Sequence, residues 1–148
     1  MSYSHLAGTF QCLSCGDVRR GSVTTKIESE PGAVLSEGSV IEAELEDMGR
    51  THYTVARPSD PRSFRILEVG TCPRCSMSQW IEVVVENGTI VTVATVPFDR
   101  ATFGRANYIG DGLVHVFEDR TGEPFYVDGR VREGWQARLV AALDRGRA

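Results

Sequence analysis

Residues 9–21 read TFQCLSCGDVRRG and residues 69–80 read VGTCPRCSMSQW, and each stretch contains a pair of cysteines in a C-x-x-C spacing. The chain has 148 residues and only four cysteines, all of them in these two pairs. Residues 16–71 separate the pairs. Two matched pairs with no cysteine elsewhere indicate that the thiols act together at one site, and the candidate ligands are Cys12, Cys15, Cys72 and Cys75.

A four-cysteine zinc site explains this arrangement best. A C-x-x-C turn, here called a knuckle, places two thiolates on one side of a loop, and two facing knuckles complete the tetrahedron that Zn²⁺ prefers. Four cysteine ligands leave no position for water, so the predicted site is structural. The long separation is a weak objection, because each doubling of a loop costs only about 0.6 kcal/mol. Structural zinc contributes about 10–16 kcal/mol in finger peptides.

Two other interpretations of the cysteines stay open. A thioredoxin-like redox pair should open a helix within a βαβ unit, whereas the segment after Cys75 reads as a strand. Unligated thiols in the core are the second alternative. The N-terminus MSYSHLAGTFQC resembles no secretory signal, and no apolar run approaches the roughly 18 residues of a membrane helix. We therefore expect a cytoplasmic protein, in which disulfides are disfavoured.

The pattern resembles the zinc-ribbon family, whose members combine two C-x-x-C knuckles with β-hairpins. The knuckles here are CLSCG (12–16) and CPRCS (72–76). The resemblance covers residues 9–96, with an insert at 16–71 that is longer than in many ribbons, and Ser76 stands where a glycine often follows the second knuckle. It implies a β-rich scaffold held by zinc, without specifying a function.

The clearest local signal lies just after the second pair. QWIEVVVENGTIVTVATV (79–96) consists of two runs rich in β-branched residues, joined by Asn87-Gly88. Asn-Gly accepts the positive φ angles of a type I′ turn, so this segment is predicted to be a β-hairpin.

Other segments predict further strands and one helix. Strands are expected at 17–29, 39–46, 51–57 and 63–70, and residues 98–112 read as a loop with one helical turn. LVHVFEDRTGEPFYVDG (113–129) predicts a second hairpin with its turn at 119–123. Near the C-terminus, Trp135, Leu139, Ala142 and Leu143 form an apolar stripe at helical spacing. The predicted fold is β-rich (α+β) and forms one domain over 1–148, with a ribbon-like part at 9–96 and a hairpin plus a C-terminal α-helix at 97–148.

Charge is unevenly distributed along this acidic chain. The net charge is −4, and the basic residues are arginines apart from Lys26, a bias typical of GC-rich bacterial genomes. In SVIEAELE (39–46), Glu42, Glu44 and Glu46 alternate with apolar residues, which predicts a strand with an acidic outer face. This face is either merely solvated or a surface that attracts a basic partner.

Sequence motifs of catalysis are absent. The three histidines, His5, His52 and His115, fit neither the H-x-E of nucleoside deaminases nor the H-E-x-x-H of metalloproteases. A G-x-S-x-G elbow and a P-loop are absent as well. We therefore expect no catalytic residue and structural roles for the histidines.

These observations favour a non-enzymatic bacterial zinc protein that binds another protein. One concrete form is an immunity or antitoxin-type protein that masks a basic toxin, since opposite charges accelerate such encounters. The alternative is a nucleic-acid-associated zinc ribbon, such as a transcription or ribosome accessory factor. It is less favoured because the pI is about 5.4 and residues 78–96 contain no lysine or arginine.

Overall fold

Two β-sheets and a layer of helices make up the part of the chain that the computed structural model describes, residues 4–27, 32–42 and 45–145. The first sheet has the order β2-β1-β3 and contains β1 (Ser4–Gln11), β2 (Val18–Thr25) and β3 (Val34–Leu35). The second, mixed sheet has the order β4-β8-β5-β6-β7. Its strands are β4 (Tyr53–Thr54), β5 (Phe64–Thr71), β6 (Ser78–Glu86), β7 (Thr89–Val96) and β8 (Tyr108–Ile109).

The remaining elements are helical, apart from one small hairpin. The helices are α1 (Leu45–Thr51), α2 (Arg100–Arg105), α3 (Leu113–Thr121) and α4 (Trp135–Arg145), and the hairpin is formed by β9 (Tyr126–Val127) and β10 (Arg130–Val131). No helix in the described ranges is long and apolar enough to cross a membrane.

Two long antiparallel hairpins carry the cysteine pairs. β1 pairs with β2 from Ser4↔Thr25 to Gln11↔Val18, and β5 pairs with β6 from Phe64↔Val85 to Thr71↔Ser78. Each knuckle forms the connection at the end of its hairpin. The register of the strands therefore fixes where the cysteines lie.

The five-stranded sheet is buried on both faces, which explains its nearly continuous apolar runs. On β6, Ile81, Val83 and Val85 point into a core shared with the three-stranded sheet. Trp80, on the opposite face, is fully buried in a second core with α2, α3 and α4. The second core includes Phe103, Phe117, Phe125, Leu139 and Leu143.

Several sequence predictions are confirmed. The hairpin of residues 79–96 is β6 and β7, and its turn residues Asn87 and Gly88 have φ angles of 50° and 76°. The C-terminal helix is α4, whose Leu139, Ala142 and Leu143 are buried. Strands also occur within 17–29 and 63–70 as β2 and β5, whereas only two residues of 51–57 form a strand, β4.

The predicted acidic strand over 39–46 is wrong. Val40 makes one isolated bridge with Thr89, and the chain is already helical from Leu45 in α1. Residues 42–50 contain no β-branched residue and are rich in glutamate, which is typical of a helix more than of a strand. Burial of Met48 in the first core then fixes α1 against the sheets.

The predicted hairpin over 113–129 is also wrong, because its first half is the helix α3. Leu113, Val116 and Phe117 are buried at i, i+3 and i+4 spacing, and Gly122 ends the helix with a left-handed φ of 71°. The real hairpin, β9 and β10, turns at Asp128-Gly129.

The helical turn expected within residues 98–112 is α2, which begins after Asp99, whose carboxylate accepts a hydrogen bond from the Thr102 N–H at 2.8 Å.

Candidate metal centre

The two knuckles are built by the same backbone hydrogen bonds. In the first, the Cys12 N–H donates to the Asp17 carbonyl at 2.8 Å, and the Gly16 N–H donates to the Cys12 carbonyl at 2.9 Å. The second knuckle repeats both bonds within residues 72–77, each at 2.9 Å. The pairs are therefore equivalent local structures, placed at the ends of two different hairpins.

Each knuckle also needs one residue with a left-handed backbone. Gly16 has a φ of 78°, and Ser76 occupies the equivalent position with a φ of 63°. A glycine has no Cβ to clash there, whereas a serine is disfavoured by about 1–2 kcal/mol. The second knuckle forms in spite of this departure from the usual glycine.

The four sulfur atoms converge as the spacing predicts. Cys12 Sγ lies 3.5 Å from Cys75 Sγ, and Cys15 Sγ lies 3.8 Å from Cys72 Sγ. All four Sγ atoms lie within 4.8 Å of one another. A zinc–sulfur distance of about 2.3 Å corresponds to a tetrahedron with edges of about 3.8 Å. The cluster therefore has nearly the size that a tetrahedral metal ion requires, and the cysteines are not joined by disulfides.

Ionisation is unequal among these thiols. The pKa of Cys12 is lowered to about 6, chiefly by the Cys15 N–H that points at its sulfur from 3.4 Å. The pKa of Cys75 is raised to about 12: a hydrogen bond with the Met77 backbone favours its thiolate, but burial and the neighbouring sulfurs outweigh it. The four neighbouring thiols cannot all be ionised at once without a cation, because the thiolates repel one another. A divalent cation would remove the repulsion and favour the fully ionised cluster.

Charged side chains next to the first knuckle complement such a cluster. Arg19 pairs with Asp17, and Arg74 Nη1 lies 3.9 Å from the other carboxylate oxygen of Asp17. Four thiolates around Zn²⁺ carry a net charge of about −2. Two arginines on one aspartate leave a positive charge close to that anionic cage, which favours it.

Two polar contacts hold the first knuckle against the five-stranded sheet. The buried Gln79 of β6 accepts from the Leu13 N–H at 2.8 Å through Oε1. The Thr95 hydroxyl of β7 donates to the Gln11 carbonyl at 2.6 Å. These bonds position the cysteines of one hairpin relative to the other. Sequence reasoning missed Gln79, because a single polar residue in a strand has no pattern that marks it.

We expect the Gln79→Ala variant to bind a metal ion at the four cysteines, tested with zinc, more weakly than the wild type. Outer-sphere contacts that orient metal ligands are worth about 10–100-fold in affinity, and this change leaves the Leu13 N–H without its acceptor. Competition with a chromophoric chelator would measure the loss. Glu86→Ala is the matched control, because it truncates a side chain of the same length at the exposed far end of β6. Equal affinities for the wild type and the Gln79 variant would contradict the positioning role.

The residues predicted to form an acidic partner surface are not on one strand. Glu42 is exposed in the connection between β3 and α1. Glu44 lies outside the described residues, and Glu46 belongs to α1, where its side chain is not described. The predicted alternation of acidic and apolar faces is therefore replaced by the start of a helix.

A further feature that the sequence did not reveal is a buried contact between a carboxylate and an imidazole. Glu68 of β5 accepts a hydrogen bond from the Thr25 hydroxyl, and its Oε2 lies 3.4 Å from His52 Nε2. The side chains of His52 and Glu68 are 0% and 5% exposed. His115, expected in a strand, lies instead on an exposed position of α3.

Comparisons of the chain with protein families, curated proteins and solved structures gave no match. The resemblance to zinc ribbons therefore depends on the paired knuckles themselves. The geometry of the four sulfurs is the observation on which a functional proposal can be built.

Proposed function

We propose that the protein is a non-enzymatic zinc-binding module that binds another protein. One structural Zn²⁺ ion is held by Cys12, Cys15, Cys72 and Cys75 and joins the two long hairpins. The observation that carries the proposal is the convergence of the four Sγ atoms within 4.8 Å.

The ligand set supports a structural role for the ion. Four thiolates fill the tetrahedral coordination of zinc, and no ligand position is left for a substrate or an activated water. Iron is the competing metal, because tetrahedral four-sulfur sites also suit iron. Elemental analysis of the purified protein separates the two: we expect about one zinc per chain, and a stoichiometric iron content would refute the zinc assignment.

The partner surface that we propose surrounds the connection between β3 and α1. Val34 and Val40 expose 67% and 70% of their surface there, next to the exposed acids Glu37, Glu42 and Asp47. Apolar side chains with a charged rim are typical of protein interfaces. The acidic rim favours a partner with a basic surface, as in an immunity or antitoxin-type protein that masks a basic toxin.

Charge reversal tests this partner assignment. Tagged protein would be used to capture partners from native lysate at low and at high salt, with Glu42→Arg compared with the wild type. We expect a basic partner that the variant captures at least tenfold less. Glu133→Arg, an exposed acid between β10 and α4, is the matched control. Capture of equal amounts of the same partner by the wild type and the Glu42 variant would contradict the assignment.

The second candidate function is nucleic-acid binding at the knuckles. Three exposed arginines favour it, namely Arg19, Arg20 and Arg74. Two of them share Asp17, and the anionic zinc cage lies beside them, so the net positive charge is small. A gel shift at low salt tests this candidate: retained RNA or DNA, released as salt increases, would favour it over the protein partner.

A further inference from the structure

A polar pocket of about 410 Å³ lies at the end of the five-stranded sheet where β5 and β6 meet the second knuckle. Four parts of the chain form it: the end of β2 with Lys26, the end of α1 with His52, the ends of β5 and β6 next to the second knuckle, and the start of α3 with the turn before it. Asp111, His115 and Asp119 come from this last part. The zinc module makes no use of these side chains.

The pocket concentrates residue types that are rare in this chain. The sequence has one lysine and three histidines, and Lys26, His52 and His115 all line the pocket. Since every other basic residue is arginine, a lysine at this position is not the compositional default. Its compact ammonium leaves room that a guanidinium would fill.

The inner wall of the pocket contains an imidazole that its neighbours do not satisfy. The His52 side chain is fully buried, and its Nε2 makes no hydrogen bond in the described structure. Its Nδ1 lies 2.8 Å from the Thr51 hydroxyl. Glu68, behind this wall, approaches Nε2 to 3.4 Å. A carboxylate therefore contributes negative charge to the pocket from beneath its surface.

The balance of charge favours a cation over an anion. Lys26 is neutralised by Asp111, with Nζ and Oδ2 2.7 Å apart. Asp119 forms no ion pair with a described residue, and Glu68 adds a further carboxylate. The lining thus holds one ammonium and two carboxylates, with Glu68 buried behind His52, so the pocket favours a cation over an anion.

The other lining groups favour a ligand with hydroxyls and without an apolar body. The hydroxyls of Thr24, Thr71 and Ser78 line the pocket and form no hydrogen bond with described residues. Among those residues its wall contains no phenylalanine, tyrosine or tryptophan, so a large apolar ligand would find little surface to pack on. The unused hydroxyls can both donate to a ligand and accept from it.

We propose that this pocket binds a small hydroxylated amine, for which an amino sugar is the simplest representative. The ammonium group of the ligand would lie next to Asp119, and its hydroxyls would bond with the hydroxyls of Thr24, Thr71 and Ser78. None of its side chains is a proposed zinc ligand, although Thr71 directly precedes Cys72, and none belongs to the proposed protein-binding surface.

Glucosamine and glucose are the probes that test the pocket, because they share hydroxyls and differ in the amine. We expect glucosamine to shift NMR signals of His115 and the start of α3 in the zinc-loaded protein, and glucose to bind at least tenfold more weakly. Asp119→Asn should weaken glucosamine binding about tenfold. Asp128→Asn, in the exposed turn between β9 and β10, is the matched control and should not change the affinity.

Three results would overturn the proposal. The first is equal binding of glucose and glucosamine, or no binding of either sugar at about 20 mM, which is about 20 times a dissociation constant of about 1 mM. The second is an equal affinity in the Asp119 and Asp128 variants. The third is a divalent cation, tested as Mg²⁺ alone, that binds the pocket and excludes glucosamine.

Discussion

The Cys72→Ser variant is expected to lose stoichiometric zinc and to melt about 10–20 °C below the wild type. A serine hydroxyl is a poor ligand for zinc at neutral pH, so the remaining three thiolates hold the ion weakly. The loss also separates the two hairpins at the end where the knuckles meet. Structural zinc contributes about 10–16 kcal/mol in peptides that have no other core. Here both hairpins are also held by the apolar cores, and a loss of a few kcal/mol corresponds to about 4 °C per kcal/mol at this length.

Elemental analysis and thermal circular dichroism would check this expectation together. Ser14→Ala is the matched control, because Ser14 lies exposed within the first knuckle and offers no sulfur. A strong chelator should lower the melting midpoint of the wild type and leave that of the Cys72 variant nearly unchanged. If the variant kept its zinc and its melting midpoint, neither a four-thiolate cage nor a structural metal would be supported.

The second large effect is expected from Glu68→Ala. Glu68 is buried between the sheets, where it accepts from the Thr25 hydroxyl and lies 3.4 Å from His52 Nε2. The alanine variant leaves the buried Thr25 hydroxyl without its acceptor, which costs about 1–3 kcal/mol, and it leaves a cavity next to His52, for which large-to-small changes cost about 2–5 kcal/mol. We therefore expect a melting midpoint about 10–20 °C lower.

Two matched variants separate the polar contacts from simple truncation. Glu68→Gln keeps an acceptor for the Thr25 hydroxyl, so we expect it to lose clearly less stability than the alanine variant. Glu86→Ala truncates an exposed glutamate at the end of β6 and should change the melting midpoint by no more than about 2 °C. Equal stability of the two alanine variants would contradict a structural role for the buried pair.

The two wrong predictions, the strand at 39–46 and the hairpin at 113–129, have the same cause: each segment has residue patterns that are compatible with both a strand and a helix. SVIEAELE alternates like a strand but also contains good helix formers, and the burial of Met48 decides for α1. LVHVFEDRT has apolar residues at both strand and helix spacings, and the left-handed Gly122 closes it as a helix. Packing in the first core selects the helix α1, and packing in the second core selects the helix α3.

The sequence by itself determined the cysteine knuckles, the hairpin at Asn87-Gly88 and the amphipathic C-terminal helix. Each of these features depends on residues within a few positions of one another, so the amino-acid sequence is enough to predict it. Only the tertiary structure decided that Gln79 positions the first knuckle, that Glu68 pairs with His52, and that Lys26 and His115 share a pocket. These partners come from different strands and helices, and their contacts exist only once the two sheets and the helical layer are packed. The partner of a single polar residue within a strand, such as Gln79 or Glu68, cannot be predicted from the sequence, because the packing of the sheets brings the two side chains together.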